Sequence, residues 1–413
     1  MKLRELKKNT VGWILYDFAD SSFVTVMVTV LFSMYFKDHI VGKGELGTAL
    51  WGRAISVSMF MVAVLAPILG AIADYSHSKK LLLTIFTYSC VGFTALLFFA
   101  KPGMIVFSMI VFILANFSFN SANVFYNAFL PSVAEPKNIG RISGIAWGVG
   151  YLGGLASLLM IMPVVGLVLS NFLNIRLNFV LVAIFYAIFA LPTMLWVRDS
   201  SERVKREDSY IVIAFTRLKD TLLNLKSYRE IIKFLISFLM YNDGITVVIS
   251  FAAIYGTTRF GMSAKEMIFY FILAQPASFF GALLFGYLFD KIGAKKSINI
   301  TLIMWILTVL WVYFCKTKIE YYFIGLAAGF AMGACQANSR AFFTQLTPVE
   351  KMTEFFGFYS VTGRLASVIG PLLYGEIARR TGDQRMAILS IVVFFVLGFI
   401  FLQFVNEEKV TNN

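Results

Sequence analysis

Charge is scarce in this 413-residue chain: Asp, Glu, Lys and Arg make up only 14% of it, against roughly a quarter in soluble domains. So little charge cannot solvate a globular surface. The other side of that shortage is 59% hydrophobic side chains, 43 Phe and a mean hydropathy of +0.77. Cysteine is nearly missing too. Cys90, Cys315 and Cys335 lie far apart inside apolar runs, which argues against both a disulfide framework and a CxxC metal site. Two histidines, His39 and His77, are too few for a His-based metal cluster, so neither metal nor cofactor is expected. The chain has no GxxxxGK[ST] phosphate loop, and hence no support for direct ATP hydrolysis. It has no HExxH or GxSxG motif either, and no enzyme is expected.

What is present is long apolar runs. A helix needs about 20 apolar residues to cross a bilayer core of roughly 30 Å. That length finds twelve candidate spans, at approximately 13–36, 51–73, 81–100, 104–130, 142–165, 177–197, 231–256, 265–289, 297–315, 320–345, 353–377 and 386–405. The runs are continuous, whereas membrane β-barrels alternate apolar and polar residues over about ten positions. The first run is too long for a signal peptide and is followed by another span, so no cleavable leader is expected.

The net charge of +13 reads as topology. With the N-terminus in the cytoplasm, 23 of the 36 Lys and Arg fall on the inner side, 12 on the outer side, and Arg364 inside a span. Basic residues concentrate in cytoplasmic loops, which sets both termini inside, in a multi-pass protein of the cell (inner) membrane. The charge thus points to membrane lipid as a partner and not to nucleic acid; a monomer is expected. The segment 198–230 is the main connector, dividing 1–197 from 231–413. In it Ile211, Phe215, Leu218, Leu222 and Leu225 recur at helical spacing among Lys and Arg, the pattern of an amphipathic helix lying on lipid.

The two halves repeat. Gly70-x-x-x-Asp74-x-x-x-x-Lys79-Lys80 returns as Gly286-x-x-x-Asp290-x-x-x-x-Lys295-Lys296, Ala122-Asn123 as Ala337-Asn338, and Tyr16-Asp17 as Tyr241-Asn242. Parallel repeats of six spans mark transporters with a pseudo-two-fold axis along the membrane normal. The Gly-Asp-Lys-Lys element resembles the short cytoplasmic loop motif of the major facilitator superfamily. That resemblance implies an all-α membrane protein of twelve transmembrane helices in two pseudo-symmetric six-helix bundles, with a latch made on one face and broken during transport. Alternatively the four lysines are only topology anchors.

Four stretches narrow the resemblance: Tyr16-Asp17-Phe-Ala-Asp20-Ser-Ser-Phe23, Phe125-Tyr-Asn-Ala-Phe-Leu-Pro131, Tyr241-Asn-Asp-Gly244, and the run from Gln336-Ala-Asn-Ser-Arg340 through Phe355-Phe-Gly-Phe-Tyr359 to Gly370-Pro371. Together they look like the autophagy-related vacuolar amino-acid effluxer family and its bacterial relatives. The resemblance implies outward movement of an amino acid or a related small polar solute. Asp20 departs from the Asn usual there.

Polar groups inside the spans are the candidate site. A charge at a helix centre costs about 2.5–3.5 kcal/mol on insertion scales, so such groups usually face the bundle interior. Asp17 and Asp20 lie about 60° apart around their helix and can view one cavity; Asp243 is the counterpart in the second half. They are read as sensing a coupling proton or cation, or else as pairing with a basic residue. Asn116, Asn120, Asn123 and Asn127 share one helical face and suit a polar, zwitterionic solute, or equally interhelical bonding. Gln336 and Arg340 line the tenth span. A buried Arg can fork onto a substrate carboxylate or pair with a carboxylate of the protein. Because Arg340 lies within reach of the cytoplasmic face, Arg364 is preferred as the holder of a substrate carboxylate. Tyr16, Tyr241 and Asn242 are included because they recur.

The leading expectation is therefore a secondary active transporter working by alternating access. The alternatives are a receptor or sensor on a transporter shell, or a lipid transporter of the same fold.

Overall fold

The computed structural model describes residues 3–42, 45–166, 172–199, 210–366 and 369–407. These residues are overwhelmingly helical, with no strand among them. The reason is in the sequence: apolar runs with few charges leave the backbone only itself to bond with, and a helix satisfies every interior N–H and C=O.

Among the described residues, ten helices are long and apolar enough to span a bilayer. In chain order the long helices are α1 (Leu3–Ser22), α2 (Glu45–Ser76), α3 (Lys79–Leu96), α4 (Ile105–Ala128), α5 (Ile139–Gly166) and α6 (Phe172–Trp196). The connector helix α7 (Tyr210–Leu223) follows. Then come α8 (Arg229–Phe260), α9 (Ala264–Ile292), α10 (Ala294–Phe314), α11 (Lys318–Leu346), α12 (Met352–Leu365), α13 (Ile369–Thr381) and α14 (Gln384–Gln403).

Two of the twelve expected spans are not among the ten. The tenth, α11, is 29 residues long, but its Tyr, Gly, Gln, Asn and Arg residues keep it from being apolar enough. The eleventh, expected to be continuous over 353–377, is divided: α12 ends at Leu365 and α13 starts at Ile369. Pro371 has no N–H, and the Gly370 N–H points to Asp243 instead of the preceding turn. The first span also departs from a plain helix. After Ser22 it widens to a π-helix over Phe23–Val30 and again over Phe36–Val41. Val24, Thr25, Val26, Val28, Thr29 and Val30 are β-branched and crowd a normal helical turn.

Helix ends are set by local chemistry. Ser263 and Glu266 form a reciprocal cap at the start of α9, and Thr317 and Glu320 do so at α11. Gly261, at φ +59°, closes α8 in the left-handed conformation, while Met262 donates back to the Gly256 carbonyl at 3.2 Å.

The chain groups into two compact units. One consists of Met1–Val133, Val149–Leu218 and Glu350–Ser360; the other of Ala134–Gly148, Lys219–Val349 and Val361–Asn413. Each unit thus takes most of one sequence half and a short segment of the other. In α7, Phe215 is exposed and Leu218 half-buried. Arg203, Lys205 and Arg206 of the connector lie outside the described residues, as do the side chains of Ile211, Leu222 and Leu225.

Candidate functional site

In the first unit, α1 carries Tyr16, Asp17 and Asp20. Tyr16 is fully buried; its ring stacks on Tyr126 with centroids 4.5 Å apart, and its hydroxyl pairs with Thr87 Oγ1 at 2.7 Å and Tyr186 OH at 3.0 Å. One side chain thereby ties α1 to α3, α4 and α6. Asp17 and Asp20 are also buried, at 7% and 6% exposure. Helix α5 passes directly over Asp17: a Cβ on Gly150 would sit 3.1 Å from the Asp17 carbonyl oxygen, and one on Gly153 would collide with the Phe18 backbone. Glycine at these positions is what lets the two helices touch.

The asparagine face of α4 is partly self-satisfied. Asn116 donates to Ser58 Oγ at 2.7 Å, Asn120 to the Asn116 carbonyl at 2.6 Å, and Asn123 to the Phe119 carbonyl at 3.2 Å. Asn116 and Asn120 are buried, whereas Asn123 and Asn127 are half-buried and remain nearer to accessible space.

The repeated loop motif forms a carboxylate cap. Asp74 Oδ2 accepts the Glu354 backbone N–H at 2.9 Å, and Lys79 Nζ lies 3.2 Å from Asp74 Oδ1. The positive end of the α12 dipole therefore meets a buried carboxylate. Gly70 makes the approach possible, since a Cβ there would stand 2.5 Å from the Thr353 carbonyl oxygen.

The second unit repeats this arrangement with its own residues. Asp290 accepts the N–H groups of Gly140 and Arg141 at 2.8 and 2.9 Å, capping the start of α5, and a Cβ on Gly286 would meet the Gly140 carbonyl oxygen at 2.6 Å. Lys295 differs from its counterpart Lys79. Its Nζ donates to the Gln403 and Val405 carbonyls at 2.7 and 3.0 Å, at the end of α14. Lys80 is half-buried and Lys296 exposed.

On α8, Tyr241 is fully buried and bonds Ser339 Oγ at 2.7 Å. Asn242 joins two elements: its Nδ2 donates to the Gly363 carbonyl at 3.2 Å, and its Oδ1 accepts from Gln336 Nε2 at 3.1 Å. Asp243, 1% exposed, accepts the Gly370 N–H on both oxygens, at 3.0 and 2.9 Å. Asn242 and Asp243 thus bond the two parts of the divided eleventh span, and Gln336 bonds Asn242.

The two arginines are placed differently from each other. Arg340, 2% exposed, forks onto Ser143, with Nε to Oγ at 3.0 Å and Nη2 to the carbonyl at 2.9 Å, and its guanidinium lies 5.3 Å from the Trp147 ring. Arg340 therefore clamps α5 beside the Asp290 cap. Arg364 is exposed near the end of α12.

Sequence reasoning missed two acidic groups at matching places. Asp199 Oδ2 accepts the Lys80 N–H at 3.2 Å, and Glu407 accepts the Lys295 N–H. Each carboxylate follows the last span of its half and caps the helix that begins at the paired lysines. Burial raises the Asp199 carboxyl above its ordinary value, against the Lys80 amide and the nearby Lys79 and His77. The separation of 208 residues, eight short of the Gly70–Gly286 offset, was the available signal.

Residues 48–413 match the family described as vacuole effluxer Atg22-like. The chain belongs to that family. Among similar proteins, an uncharacterized MFS-type transporter YxiO of Bacillus subtilis is 28% identical over 419 residues, covering 99% of this chain and 97% of that one. Autophagy-related protein 22-1 of Penicillium rubens is 26% identical over 294 residues, 65% of this chain and 50% of that protein. The fold of this family member matches the Escherichia coli fucose:proton symporter FucP with a TM-score of 0.75 at 12% identity, covering 98% of this chain and 99% of that one. It also matches the proton:xylose symporter XylE, at 0.69 and 13%, over 97% and 95% of the two chains. The expected major facilitator fold and effluxer family are therefore both found.

Proposed function

We propose that this Atg22-like protein is a secondary active transporter that moves a small polar solute, an amino acid by family likeness, by alternating access. The reading rests chiefly on one observation: the repeated Gly-Asp motif caps a helix start in each unit, Asp74 at Glu354 and Asp290 at Gly140 and Arg141. Such caps are all-or-none contacts, formed when glycine lets the backbones meet and lost when the helix start withdraws, which suits an element with two states. The working halves are taken to be 1–197 and 231–413, joined by 198–230, with twelve spans and both termini in the cytoplasm.

Asp17, Asp20 and Asp243 are the coupling groups in this reading. Asp243 binds the start of α13 through both oxygens, so protonating it, or drawing it to a cation, would release that helix start. Asn123, Asn127, Asn242 and Gln336 supply neutral donors and acceptors for the solute, and Arg364 the cation for a carboxylate. Vacuolar relatives and proton symporters of the same fold lend support to outward movement and to proton coupling.

The test is counterflow in proteoliposomes with the twenty proteinogenic amino acids as probes. Saturable counterflow of at least one supports the reading. Binding by thermal shift without any flux would support a receptor on a transporter shell instead.

A further inference from the structure

The Asp74 cap has a second layer that the Asp290 cap lacks among the described residues. The amide donor to Asp74 belongs to Glu354, whose own carboxylate is completely buried. A buried carboxylate is costly unless it is paired. One group that faces it comes from the connector: Arg217 of α7 lies with Nε 3.9 Å from Glu354 Oε2, and its Nη2 donates to the Glu350 carbonyl at 3.0 Å. In the repeat, the corresponding donors to Asp290 are Gly140 and Arg141. Neither brings an acid, and no residue of α7 is bonded to them among the described contacts. The acid at the start of α12 and the arginine on the connector are thus a matched departure from the internal symmetry.

We propose that α7 is a working part of the latch and not only a tether: Arg217 is a positioning residue that fixes the first turn of α12 so that the Glu354 amide meets Asp74. One guanidinium reaches both the carbonyl of Glu350, just before α12, and the side chain of Glu354 inside it, which sets the angle at which the chain enters the helix. Asp74 then reads that angle through a single N–H. A displacement of α7, by lipid or by pulling on the connector, is transmitted to the latch through this pair. The role in a transport cycle rests on the transporter reading; the positioning itself does not.

Hydrogen exchange on the purified full chain tests it without any solute. Asp74→Asn serves as the reference, because it must expose the amides of residues 353–357 if they report the cap. Arg217→Glu is expected to speed exchange of the same amides by roughly tenfold, while Arg217→Lys, which keeps the charge, retains most of the protection. The double variant Arg217→Glu/Glu354→Arg is expected to restore protection, a rescue that a purely structural loss would not give. Unchanged exchange in Arg217→Glu, with Asp74→Asn fast, would overturn the proposal. So would fast exchange in Arg217→Glu that the charge swap leaves uncorrected. Failure of wild-type counterflow would remove the transporter reading and leave this exchange result standing.

Discussion

At the residue scale, the proposed function divides the carboxylates and arginines between holding helices and meeting a solute. Asp243 bonds only the start of α13 among its described contacts, so Asp243→Asn is expected to abolish the pH dependence of net transport while sparing solute exchange. Flux measured against pH in proteoliposomes checks this, and an unaltered profile in Asp17→Asn, Asp20→Asn and Asp243→Asn alike would remove carboxylate coupling. Arg340 binds Ser143 and lies against the Trp147 ring. Arg340→Lys keeps the charge but loses the fork, and should cost about 1–3 kcal/mol of stability with a lower Tm. If instead the Tm held and solute affinity fell, Arg340 would be a ligand to the solute and not a clamp. The sequence suggested that a guanidinium in the membrane meets a carboxylate of solute or protein; it carried no sign that Arg340 also bonds the hydroxyl and carbonyl of Ser143.

At the scale of elements, close helix crossings carry the mechanics. Gly70→Val and Gly286→Val would place side chains where the Thr353 and Gly140 carbonyls already stand, at 2.5 and 2.6 Å from an added Cβ. Both variants are expected to lose the cap and transport together, and disulfide trapping of cysteines set on either side of each cap would show whether the crossing still forms. Asp290→Asn should be milder, costing about 1–2 kcal/mol as a charge-assisted bond to a helix start is weakened. Much of this was legible in the sequence. The spacing of Gly70, Asp74 and Lys79, repeated at Gly286, Asp290 and Lys295, pointed to a latch, because the whole motif lies within one short stretch of chain. What escaped was chemistry that depends on distant pairing. Glu354 looks like an ordinary charge at a helix start until Arg217 is found against it, and Asp199 and Glu407 look like loop residues until they meet Lys80 and Lys295. The division of the eleventh span was half-visible in Gly370-Pro371, yet a hydropathy reading averages over such a local event. The π-helical turns after Ser22 were written only as a β-branched run, which by itself also fits a plain helix.

At the scale of the whole molecule, the low charge and the Lys and Arg bias predict a multi-pass protein oriented by its basic loops. Ten helices long and apolar enough to span among the described residues, the Atg22-like family and the major facilitator fold agree with the multi-pass part of that reading. The central claim is that this scaffold transports. The most direct measurement is counterflow by the purified full chain in proteoliposomes, with labelled amino acids inside and out. The predicted result is saturable counterflow of at least one of them, lost in Gly70→Val although that variant is still folded and inserted. Thermal-shift binding of amino acids with no counterflow of any, by protein that is folded and oriented in the bilayer, would contradict it.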